Sequence, residues 1–145
     1  MAVVAESRLW LGTPFHHQGR VLGVGVDCIG LLIGIGRTLG LCAPDFDIKG
    51  YAPIPDGKTL VAQADSFMQR IDRDSMGVGD VIVIRWGADP QHVGLIGDYV
   101  HGGHSLIHAY GETDGSGSVI EHHLGPHHLK RFVAAYRLPG VEAAL

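Results

Sequence analysis

The sequence is poor in several things that would each settle a class of function. It has only two cysteines, Cys28 and Cys42, in unlike surroundings, too few for a disulfide framework. Its eleven lysines and arginines form no cluster and the formal net charge is −4, so nothing offers a basic face to nucleic acid or to an anionic lipid surface. No apolar run approaches the roughly 18 residues needed to span a bilayer. The first residues carry neither a basic region nor a long apolar stretch, so no secretory signal is expected.

What is plentiful is glycine, 22 residues, and histidine, ten. A chain of 145 residues has the usual size of one domain, so 1–145 is read as a single unit with one core. A short helix is expected over residues 2–11, ended by Gly12, Thr13 and Pro14. Residues 15–26 have no period and read as an irregular loop. From Asp27 onward Cys28, Leu31, Leu32, Ile35 and Leu39 take the spacing of a helix face, with Asp27 as N-cap and an end near Gly40. Ile29 and Ile33 leave this helix little polar surface, so it should be buried, while Gly30 and Gly34 should let a sheet approach it.

A proline-rich connection over 41–57 leads to a second amphipathic helix marked by Leu60, Ala64, Phe67, Met68 and Ile71. Then the period changes to that of strands, over 81–86, 93–97, 105–110, 118–122 and 132–138. Helices followed by about five strands predict an α+β domain, one antiparallel sheet packed on the buried helix.

A thiol in the first turn of such a helix meets unpaired backbone amides and the positive end of the dipole, which favours the thiolate. From the pattern alone Cys28 is equally well a small core residue. A nucleophilic cysteine needs a base and a group to orient it, and His92 and His108 lie on neighbouring strands if 99–103 is their turn. The stretches Leu11-Gly12-Thr13-Pro14-Phe15, Val26-Asp27-Cys28-Ile29-Gly30, Gly79-Asp80-Val81-Ile82-Val83, Gln91-His92-Val93-Gly94-Leu95 and Leu106-Ile107-His108-Ala109 then resemble, in order and spacing, the NlpC-type cell-wall cysteine endopeptidases. The loop from Thr13 to Cys28 is similar to the branch found in tailed phages and gene transfer agents.

That resemblance implies a papain-like α+β fold and hydrolysis of peptidoglycan stem peptides, typically between D-glutamate and diaminopimelate. Cys28 matches the nucleophile, His92 the base and His108 the orienting residue, with no cofactor and no metal. The expected partners are the stem peptide and tail-tip or hub proteins, and the expected place is a phage-like particle acting in the target cell's periplasm. The alternatives are a structural tail-hub component of the same fold and an enzyme of amide or acyl transfer on another substrate.

The family's tyrosine after the first proline is Phe15 here, which donates no hydrogen bond, so His17 or Gln18 is expected to complete the oxyanion hole. Asp27 is read first as the cap and second as a substrate contact. Cys42 is read as a structural thiol. His101, His104, His122, His123, His127 and His128 lack the spacing of a metal site and read as solvent-exposed loop histidines, whereas one of His16 and His17 is expected in the cleft.

Overall fold

The computed structural model describes residues 1–53, 58–86, 89–112 and 114–141. In chain order, α1 (Ala2–Leu9) precedes a small hairpin of β1 (Arg20–Val21) and β2 (Gly25–Val26), and α2 (Cys28–Thr38) follows at once. Next come α3 (Thr59–Phe67), β3 (Gln69–Ile71), β4 (Val81–Trp86), β5 (Asp89–Asp98), β6 (His104–Gly111), β7 (Gly117–His123), the single-turn α4 (Pro126–Leu129) and β8 (Phe132–Arg137).

The main sheet has six strands in the order β3-β8-β4-β5-β6-β7, every pair antiparallel. The five expected strands are all present, and the sixth, β3, is a correction. The apolar spacing that marked a helix as far as Ile71 breaks at Phe67, because Gln69, Arg70 and Ile71 pair with Arg137, Tyr136 and Ala135 at the sheet edge. Sheet pairing satisfies those backbone groups and overrides local periodicity. The loop 15–26 likewise holds the β1–β2 hairpin, with Arg20 facing Val26, and α1 stops at Leu9 rather than Leu11. The connection 41–57 has no helix or strand over 41–53, and its remaining residues, 54–57, lie outside those described.

Alternation along the strands gives the sheet two apolar faces. Val81, Val83, Val93, Leu95, Ile107 and Ala109 pack with Leu31 and Ile35 of α2 and with Val3, Val4 and Trp10. Ile82, Ile84, Ile96 and Leu106 form a second cluster with Leu124. The two helix glycines do not admit the sheet. The Trp10 ring occupies the place a side chain at Gly34 would take, and the carbonyl of Gly19 does the same at Gly30. Their missing side chains therefore seat the end of α1 and the entry to the β1–β2 hairpin on the helix that carries Cys28.

Candidate active site

Asp27 is extended (φ −105°, ψ −177°) and its side chain accepts from the amide of Gly30 at 2.7 Å, so it caps α2 and makes Cys28 the first helical residue. The thiol is free and half-buried. Cys28 and His92 line the same cavity, of about 410 Å³, together with Phe15, His17, Tyr51 and Tyr110. Cys42 is free as well and lines a separate apolar cavity of about 290 Å³.

His92 and His108 stand on adjacent strands. The β5–β6 register pairs Leu95 with Ile107, so His92 lies diagonally across from His108, and the rings meet with His92 Nε2 2.5 Å from His108 Nδ1. A break in the β4–β5 register falls just before His92, of the kind that re-aims a side chain beside a site. Gly94 makes room, since a side chain there would come within 2.6 Å of Leu106 and 3.1 Å of the His108 Cβ. The turn predicted at 99–103 is present, closed by the amide of Tyr99 on the carbonyl of Gly103.

His122 corrects the expectation of an exposed loop residue. It lies on β7, half-buried, and its Nε2 is 2.8 Å from His108 Nε2. The neighbouring His123 turns the other way, against the ring of Tyr99. Gly125 and Pro126 start α4, whose His128 packs on His122 with ring centroids 4.7 Å apart.

Asp27 is a hub as well as a cap. Its two oxygens accept from Gly30 N, Arg20 Nη1, Gln18 N and the Tyr51 hydroxyl, the last at 2.5 Å, and only 3% of the residue is exposed. Arg20 also donates to Tyr51 Oη and to Asp47. Gln18 adopts a left-handed backbone (φ 59°) that brings its amide to Asp27, while its side chain donates to the carbonyl of Tyr51. Gln18 thus ties the loop before β1 to Tyr51. His17 lines the cavity and packs edge-on to Tyr51. Phe15 also lines it, with its ring against Gly111.

Two residues were invisible to sequence reasoning. Tyr51 comes from the patternless connection, and Gln63 from α3 lines both cavities with its Oε1 buried and without a partner. No periodicity marks either.

The electrostatics reverse one expectation. The helix start favours a thiolate, and the amides of Val93, Ile29 and Cys28 itself work in that direction. Burial, with the nearby Asp27 carboxylate second, outweighs them and pushes the Cys28 thiol up to about 12. Burial also lowers His92 and His108, helped by the neighbouring histidines, so both rings rest neutral. The cavity therefore holds a neutral thiol and a neutral imidazole. Among the described residues no group of three or more His, Cys, Asp or Glu is placed to hold a metal ion. Nor is any described helix long and apolar enough to cross a membrane.

This architecture has solved counterparts. The NlpC/p60 domain of peptidoglycan hydrolase SagA matches with a TM-score of 0.56 over 93% of this chain and 95% of that one, at 21% identity. A protein of the NLP/P60 family, similar to lipoprotein, from Staphylococcus aureus subsp. aureus Mu50 matches with a TM-score of 0.59 and 18% identity over 94% of this chain. The match takes in 40% of that longer chain. The fold is that of the NlpC/p60 domains. No family model matches the sequence, and no curated protein does.

Proposed function

We propose that the protein is a cysteine endopeptidase that hydrolyses peptidoglycan stem peptides at the D-glutamyl to diaminopimelate bond. The observation that carries this reading is that Cys28, at the capped start of α2, and His92, backed by His108, line one cavity of an NlpC/p60 fold. The SagA counterpart supports the substrate class, being named a peptidoglycan hydrolase.

In this reading His92 takes the thiol proton as Cys28 Sγ attacks the substrate carbonyl. The resulting oxyanion lies by the helix start, within reach of the Cys28 amide. His92 then gives its proton to the departing amine, leaving a thioester on Cys28. A water enters, loses a proton to His92 and attacks the thioester; the acid departs and His92 returns that proton to the Cys28 thiolate. The neutral resting state makes His92 a true general base rather than one half of a standing ion pair. Phe15 supplies apolar wall and no donor.

We place the protein in the tail tip of a phage-like particle, on the strength of the resemblance between its 13–28 loop and that branch of peptidases. The test is digestion of diaminopimelate-type sacculi by the purified protein and its Cys28→Ser variant, with fragments identified by mass spectrometry. Release of new amino-terminal diaminopimelate by the wild type alone supports the reading. Equal results from both proteins, with assembly of a particle lost only on deletion of the chain, would instead make it a structural hub component.

A further inference from the structure

The three histidines form one file across three neighbouring strands. The β6–β7 register pairs Leu106 with His122 and His108 with Ile120, so His122 is diagonal to His108 just as His108 is to His92. The contacts run His92 Nε2 to His108 Nδ1 at 2.5 Å, His108 Nε2 to His122 Nε2 at 2.8 Å, and His122 Nδ1 to the carbonyl oxygen of His123 at 3.0 Å. The rings meet edge-on, at interplanar angles of 77° and 84°.

The last contact fixes the direction of the others. A carbonyl oxygen only accepts, so His122 Nδ1 must carry a proton. With that one proton on the ring, His122 Nε2 is an acceptor. His108 must then donate from Nε2 and accept at Nδ1. His92 must donate from Nε2, so its one remaining lone pair is on Nδ1. The order of donors is set at the His123 carbonyl and arrives at the cavity as the basic nitrogen of His92.

We propose that His122 is a positioning residue: anchored on the His123 carbonyl, it fixes the tautomers of His108 and His92 and so leaves His92 Nδ1 as the base for Cys28. This rests on the peptidase reading for its use, but the tautomers themselves are a property of the folded chain. His128, stacked beside His122, holds that ring in place. A wrong tautomer disables a catalytic histidine even when geometry is intact, which is why an orienting group matters as much as the base.

The test is long-range nitrogen–proton NMR on the full chain labelled with 15N-histidine, at neutral pH, alongside cleavage of a stem peptide. In the wild type His92 and His108 are each protonated at Nε2 and His122 at Nδ1. In His122→Phe both His108 and His92 become mixtures of tautomers, and kcat falls about tenfold or more with KM little changed. His122→Gln, whose amide oxygen accepts from His108 Nε2, restores single tautomers and most of kcat.

Finding His92 protonated at Nδ1 in the wild type overturns the proposal with no variant needed. So does a His122→Phe protein whose His92 and His108 keep single Nε2-protonated tautomers. A wild type that shows the three tautomers but cleaves no stem peptide keeps the positioning and removes the peptidase reading.

Discussion

The Tyr51 hydroxyl donates to Asp27 Oδ2 at 2.5 Å, tying a segment far along the chain to the residue that caps the candidate nucleophile's helix. Burial and the carboxylate raise the Tyr51 phenol well above its ordinary value, so it stays a neutral donor. Arg20 closes the triangle, donating to both. Asp27→Ala takes the cap from the helix start and one of two carboxylate partners from Arg20, which keeps Asp47, and should destabilise the fold by about 2 kcal/mol. Tyr51→Phe should cost about 1 to 2 kcal/mol. Urea denaturation measures both. Equal stability for all three proteins would mean that the network does not hold the cavity together.

The neutral resting thiol gives a second expectation. Alkylation of Cys28 by iodoacetamide should rise steadily with pH above about 7 and show no plateau at lower pH, because burial and Asp27 keep the proton on sulfur. Cys42, also raised by burial, is separated from Cys28 by a Cys42→Ala background. A flat, fast rate between about pH 5 and 7 would instead report a thiolate beside a protonated His92.

Folding stability should depend on pH through the same histidines. His92 and His108 are depressed in the folded state, so between the unfolded value of about 6.5 and the lower folded value the unfolded chain binds more protons. Their contribution is whole above about pH 6.5 and is lost as pH falls through the folded values. Thermal midpoints should drop from pH 7.5 to pH 4.5, and His108→Asn should drop less steeply. Identical slopes would assign the loss to carboxylates elsewhere.

Gly94 is required for space rather than for backbone conformation. Gly94→Ala places a methyl against Leu106 and the His108 Cβ and should cost about 1 to 3 kcal/mol, with activity falling as His108 is displaced. Gly77, where a side chain would meet nothing within 4 Å, is the control, and Gly77→Ala should stay within about 0.5 kcal/mol of the wild type.

Much of this was legible in the sequence. The α2 stripe and its Asp27 cap stood out because burial and capping are local in sequence, and the strand runs stood out because β-branched residues alternate between turns. β3 did not, since three residues continuing a helical spacing become a strand only when β8 lies beside them. The spacing of His122 within its histidine cluster carries no signal, because its position is set by the β6–β7 register, which no local pattern reveals. The thiol's proton affinity was misjudged because the helix start is visible in sequence and the burial that opposes it is not.

The most direct measurement is cleavage of a defined L-alanyl-γ-D-glutamyl-diaminopimelyl-D-alanine peptide by the wild type, Cys28→Ala and His92→Ala. Hydrolysis at the D-glutamyl bond by the wild type, lost in both variants while each remains folded, is the predicted result. Cleavage that persists in Cys28→Ala, or none by the folded wild type, would contradict the assignment of Cys28 and His92 as the catalytic pair.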